Sequence, residues 1–123
     1  MEGMRNVLRF VTPILLVLVV ASLAAAADIE GTLVDRHCAA KIAKGGQKAA
    51  QAHTQECALM PDCLAAGYAV VTADNKLINL DAAGNKTAEA ALRASQKKND
   101  LRVQVSGQVT GDSIKVATLK LLP

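Results

Sequence analysis

Three cysteines and one histidine lie close together in the sequence, and their side chains are the ones best suited to chemistry in this chain. They are Cys38, His53, Cys57 and Cys63. Three thiolates and one imidazole form a complete tetrahedral ligand set for zinc, and sulfur donors also suit copper(I). In an oxidising compartment, two of the same thiols would instead pair as a disulfide. The compartment and the elements that position these residues therefore decide between the two chemistries.

The N-terminal segment predicts export to an oxidising compartment. A basic start precedes an almost wholly apolar run over residues 10–23, which ends in the alanines 24–27. This pattern is typical of a signal peptide over residues 1–27, with cleavage after Ala26 or Ala27. The alternative is an uncleaved anchor, because the apolar stretch approaches the length of a spanning helix. We expect a periplasmic or secreted protein with no membrane span after cleavage.

The remaining residues, 28–123, predict one small domain. Loss of the leader lowers the formal charge from +3 to +2, and the remaining Lys and Arg are scattered. This distribution does not favour a polyanion partner, so we expect no nucleic acid to bind. Tyr68 is the only aromatic residue in this part. The core must therefore be aliphatic, and a small core of this kind gains from a covalent or metal staple.

Five segments have the composition or alternation of β-strands: 28–35, 68–72, 77–80, 101–109 and 114–121. A change of apolar parity between Val116 and Leu119 predicts a bulge where the sheet bends. Thr87 is expected to cap a short helix between strands three and four. We predict an α+β, mainly β domain, a five-stranded antiparallel barrel like the oligonucleotide and oligosaccharide binding (OB) fold. A small open sheet packed by two helices is the structural alternative.

The cysteines and the histidine fall in a segment of helical composition, 36–66, that follows the first strand. Gly45–Gly46 is expected to interrupt it, and Pro61 suits the first turn of a new helix. His53 and Cys57 are four residues apart, so a continuous helix would place them on one face. The segment lacks the paired C-x2-C spacing that makes a zinc site specific. The pattern is therefore compatible with metal binding but does not by itself predict it.

A structural disulfide is the leading interpretation of the cysteines. Cys38 to Cys57 or Cys38 to Cys63 would close a loop of about 20 residues, which stabilises a fold by roughly 3 kcal/mol in the chain-entropy model. Three cysteines allow three pairings, and the sequence does not choose among them. The remaining thiol would allow a disulfide-linked dimer beside the monomer. The alternative is zinc or copper held by Cys38, His53, Cys57 and Cys63.

The sequence does not predict a catalytic site. It contains no Gly-x-Ser-x-Gly elbow, no phosphate-binding loop and no His-Glu-x-x-His helix. The aspartates, Asp35 among them, mostly fall at predicted turns or strand ends, where carboxylates cap backbone groups or face water. We therefore expect a non-enzymatic binding or structural module of the cell envelope. Its ligand would be an envelope component, a protein surface or a metal ion.

Several short motifs follow one another in a distinctive order along the chain. They are Gly31-Thr-Leu-Val-Asp35-x-x-Cys38, His53-Thr-Gln-Glu-Cys57-Ala-Leu-Met-Pro-Asp-Cys63, Gly67-Tyr68, Ser106-Gly107 and Gly111-Asp-Ser-Ile-Lys-Val116. In combination they resemble a family of small exported bacterial proteins of unknown function. The resemblance covers nearly all of residues 28–123. It implies an exported single domain with a cysteine-bearing insertion ahead of an OB-like sheet, and it implies no established activity.

Overall fold

Residues 25–123 are described by the structure, which is a computed structural model. The strands are β1 (Ala25–Asp35), β2 (Tyr68–Val71), β3 (Leu77–Leu80), β4 (Arg102–Thr110) and β5 (Ser113–Leu121). The helices are α1 (Arg36–Ala52), α2 (Gln55–Ala58), α3 (Pro61–Ala66) and α4 (Ala82–Ala94). None of the helices within 25–123 is long and apolar enough to cross a membrane. Residues 1–24 of the predicted signal peptide lie outside the described residues.

The five strands form a closed barrel in the order β1-β2-β3-β5-β4. Every neighbouring pair is antiparallel except β3 and β5, which run parallel through the pairs Asn79–Ser113 and Leu80–Ile114. The barrel is therefore mixed, and the prediction of an antiparallel barrel is wrong in this respect. The physical reason is that apolar alternation reports which face of a strand is buried. It does not report the direction in which the chain re-enters the sheet.

β2 lies between two apolar layers, which explains why all four of its residues are buried. Tyr68 and Val70 point into the barrel, together with Leu33 of β1. Ala69 and Val71 point outward and pack under α1. Successive side chains of a strand face opposite sides, so a strand with a core on each side is apolar at every position. This arrangement fixes α1 against the outside of the barrel.

The predicted bulge in the last strand is confirmed. Ser106 pairs with Thr118 and Gly107 pairs with Val116, so Ala117 is the extra residue in β5. A Cβ at Gly107 would clash with the backbone of β5, which explains the glycine opposite the bulge. The extra residue increases the local bend that lets the sheet close.

The N-terminus of α4 is set by Asp81 and not by Thr87, so the predicted cap is wrong. The Asp81 carboxylate accepts from the backbone N–H of Gly84 at 2.9 Å and from that of Val116 in β5 at 3.2 Å. Thr87 lies inside the helix, where its hydroxyl donates to the carbonyl of Ala83. Gly84 in the first turn lowers the helix propensity. A prediction from composition therefore places the start of this helix too late.

Candidate functional site

α1 doubles back on itself at Gly46, where the sequence predicted an interruption of the helix but not a reversal of the chain. Gly46 has φ 75° and ψ −164°, which are not helical angles. A straight helix of this length would separate its ends by about 26 Å. In the structure the side chains that flank α1, Asp35 before it and His53 after it, are 2.7 Å apart. The turn at Gly46 thus brings both ends of the segment to one place.

Asp35 is the centre of this place and is completely buried, with 0% of the residue exposed. It ends β1 and caps α1, because its Oδ2 accepts from the backbone N–H of Cys38 at 2.9 Å. A buried carboxylate is costly unless charges or hydrogen bonds satisfy both of its oxygens. The cap satisfies only Oδ2, and Oδ1 has no hydrogen-bond partner in the described part of the chain.

His53 faces the unsatisfied oxygen. Its Nε2 lies 2.7 Å from Asp35 Oδ1, and its side chain is only 8% exposed. Both atoms nevertheless lack a hydrogen bond that meets angular criteria within residues 25–123. The distance permits electrostatic contact, but the alignment is poor for a ring N–H that donates to this oxygen. The pair therefore leaves two buried polar atoms aimed at each other and incompletely satisfied.

Two thiols face the same carboxylate. Burial raises the pKa of Cys63 to about 12, and the nearby Asp35 carboxylate adds to the effect. Burial raises the pKa of Cys38 as well, and the negative charge of Asp35 is the next largest cause. Both thiols therefore hold their protons at neutral pH while no cation is present. We call Asp35, Cys38, His53 and Cys63 the Asp35 cluster.

Three of the four predicted site residues thus lie around Asp35, whereas the fourth, Cys57, is near the other two thiols but exposed. Cys38 is half-buried, Cys63 is buried, and Cys57 is exposed at the surface. All three cysteines are free, and no two of them lie at disulfide distance. Within residues 25–123, no group of three or more His, Cys, Asp and Glu side chains is already arranged to hold a metal ion. Neither the disulfide nor the metal site of the sequence prediction is preformed.

Asp35 is the site residue that sequence reasoning missed. The sequence predicts only a capping role for it at a strand end, and Asp35 does cap a helix. Its burial was not foreseen, because that depends on α1 returning to cover it. The available signal was the Asp35-x-x-Cys38 spacing, in which the carboxylate caps the residue that carries the first thiol.

The surface also has an open cleft of about 590 Å³ beside α2. It is lined by Thr54, Gln55, Glu56, Leu59, Arg93 and Lys98. The amide of Gln55 is already used, since it donates to the carbonyls of Leu92 and Ser95. The charged side chains at the rim are exposed and of both signs. The cleft therefore has fewer features of a binding site than the Asp35 cluster.

Comparison with protein-family models, with curated proteins and with solved structures found no match to this chain. The chemistry of the Asp35 cluster is therefore the basis on which function is inferred.

Proposed function

We propose that the protein is a small, exported, non-enzymatic module of the bacterial cell envelope that binds zinc or copper through the Asp35 cluster. The proposal rests on two buried polar atoms that lack a well-aligned hydrogen bond, Asp35 Oδ1 and His53 Nε2, which are 2.7 Å apart. A metal ion bound by both would satisfy them together. Carboxylate oxygen, imidazole nitrogen and thiolate sulfur are all established zinc ligands.

The architecture supports a binding module of the OB-like type. The strand order β1-β2-β3-β5-β4 and a helix between β3 and β4 match the element order of that fold. Nucleic-acid recognition on such barrels uses exposed aromatic rings. Tyr68 is 1% exposed and is part of the core, so it offers no such ring. This favours a metal ion or an envelope component over a nucleic acid as the ligand.

Export stays part of the proposal. The predicted cleavage positions, Ala26 and Ala27, fall near the start of β1. Cleavage after Ala27 would leave the pairs from Asp28–Ser106 to Thr32–Arg102 between β1 and β4. The barrel would therefore keep its first strand. The mass of the protein isolated from the envelope fraction tests cleavage, and an intact leader in that fraction would support the uncleaved anchor instead.

A structural disulfide is the second candidate. Cys38 and Cys63 both face Asp35, so they are the pair best placed to approach each other. Joining them would oxidise two thiols and would pass two electrons and two protons to a thiol oxidant of the exported compartment. Alkylation without reduction, followed by mass spectrometry, distinguishes the candidates. Three alkylated cysteines would exclude the disulfide, and one alkylated cysteine would support it.

Metal uptake by the reduced protein tests the first candidate. We expect the wild-type chain to retain about one equivalent of zinc or copper(I) after gel filtration against a weak chelator, measured by elemental analysis. A site of this kind also stabilises the fold, because the ion binds only the native arrangement. We therefore expect a higher Tm with the ion. No retained metal and an unchanged Tm would refute metal binding.

A further inference from the structure

We propose that the ion is zinc and that its four ligands are Asp35, Cys38, His53 and Cys63, with Cys57 outside the site. The inference rests on the proposed function and names its ligand set. It differs from the pattern in the sequence, which suggests three thiolates and one imidazole. The structure favours two thiolates, one carboxylate and one imidazole.

The first step is the position of the donors in the fold. Asp35 ends β1, Cys38 lies in the first turn of α1, His53 follows α1, and Cys63 lies in α3. Three separate backbone segments thus bring these donors to one region of the fold, where within residues 25–123 they are not yet arranged as the ligands of a bound ion. Cys57 is near enough to raise the pKa of both other thiols, but it is exposed, and its backbone N–H donates to the hydroxyl of Thr54, the cap of α2. The three thiols are therefore not equivalent.

The second step is the room that an ion needs. Zinc lies about 2.0–2.2 Å from nitrogen and oxygen ligands, so two such ligands of a tetrahedral site are about 3.3 Å apart. Asp35 Oδ1 and His53 Nε2 are 2.7 Å apart. They must therefore separate by roughly 0.6 Å to admit the ion. Binding therefore requires a small rotation of one or both side chains, with Oδ2 of Asp35 still the cap of α1.

The third step is charge. Metal binding takes the protons from Cys38 and Cys63 and releases them to solvent, so the donors carry three negative charges with a neutral imidazole. Zn²⁺ leaves a net charge of −1, and the ammonium of Lys41 acts on Cys38 with the opposite sign. Copper(I) would leave −2. It also prefers sulfur to the hard oxygen of a carboxylate, whereas zinc accepts both.

X-ray absorption at the zinc edge tests the ligand set on the unaltered, reduced protein. We expect two sulfur scatterers near 2.3 Å and two nitrogen or oxygen scatterers near 2.0 Å per zinc. Three sulfurs per zinc would overturn the inference while leaving metal binding intact. This measurement needs no variant, so it stands even if a substitution prevents folding.

Zinc affinity of variants, measured by competition with a chromophoric chelator, tests each ligand. Asp35→Asn keeps a good helix cap and nearly the same shape, so we expect it to fold by circular dichroism. We expect Asp35→Asn and Cys63→Ser each to weaken zinc binding at least about 100-fold, since even partners outside the first coordination shell are worth 10–100-fold. Cys57→Ser is the matched control, and we expect its affinity to stay within about threefold of wild type.

The outcomes separate the inference from the proposed function. A wild-type chain that retains neither zinc nor copper overturns both. Zinc binding that survives in Asp35→Asn but is lost in Cys57→Ser overturns the ligand set alone. Retention of copper with no zinc under equal supply overturns the choice of metal alone. Loss in Asp35→Asn and Cys63→Ser with retention in Cys57→Ser supports the inference.

Discussion

Replacing Tyr68 by phenylalanine should destabilise the protein by an amount that depends on pH. The Tyr68 hydroxyl donates to the carbonyl of Ala58 at 2.7 Å, and the residue is 1% exposed. α2 has only four residues, so it gives this carbonyl no partner of its own. Loss of the bond leaves a buried carbonyl unpaired, which costs about 2 kcal/mol. In a domain of this size that lowers the Tm by roughly 8–16 °C.

The pH dependence follows from the phenol itself. Burial, and then the negative charges of Glu89 and Asp35, raise the pKa of Tyr68 to about 12. The unfolded value is about 10. The folded state therefore favours the neutral phenol, and the stability it contributes is complete below about pH 10 and is lost as the pH rises toward 12. At pH 11 the wild type should have lost about 1.4 kcal/mol through this residue.

Urea unfolding at pH 8 and pH 11, followed by circular dichroism in reducing buffer, measures both effects. The free-energy difference between wild type and Tyr68→Phe should shrink from about 2 kcal/mol to less than about 1 kcal/mol. Other groups titrate alike in the two proteins, so their contributions cancel in this difference. A difference that is the same at both pH values would refute the burial argument, and no difference at pH 8 would refute the hydrogen-bond argument.

Three further substitutions test the fold by the same urea measurement. Gly31→Ala should destabilise by about 1–3 kcal/mol, because a Cβ there would clash with the backbone carbonyl of Val71 in β2; wild-type stability would contradict this close approach. Asp81→Ala should cost about 1–2 kcal/mol through loss of the α4 cap, and Asp81→Asn should recover most of it. Glu89→Ala should change stability by less than about 0.5 kcal/mol, because its pair with Arg93 is solvent-exposed; a larger loss would show a role in packing.

The barrel was largely predictable because it depends on local alternation. The five strand segments and the parity change near Val116 are visible in the sequence, and the structure has five strands and a bulge at Ala117. The parallel pairing of β3 with β5 was not predictable, because it results from closure of the whole barrel. The start of α4 was misplaced because Thr87 is a good cap in isolation, whereas Asp81 is held by both α4 and β5.

The sequence indicated which residue types could form a site, but not which of these residues lie together in the fold. The sequence singled out Cys38, His53 and Cys63, and the structure places all three near one carboxylate. It gave Cys57 equal weight, because the four-residue spacing to His53 suggests one helix, whereas His53 follows the end of α1 and Cys57 lies in α2. It gave Asp35 too little weight, because burial of a strand-end carboxylate depends on a tertiary contact 18 residues away along the chain.

The turn at Gly46 allows the α1 segment to change in length without a change in the geometry of the site. Both ends of the segment are anchored at Asp35 and His53, and a Cβ at Gly46 would meet no atom within 4 Å. Gly45, just before the turn, is exposed, and exposed turns tolerate added sequence. Residues inserted at Gly45 would lengthen the turn, which the amide of Gln47 ties to the carbonyl of Thr72, while the anchored ends stayed in place. The turn is therefore the position at which evolution, or an engineer, can add a reporter or a second domain without disturbing the buried carboxylate.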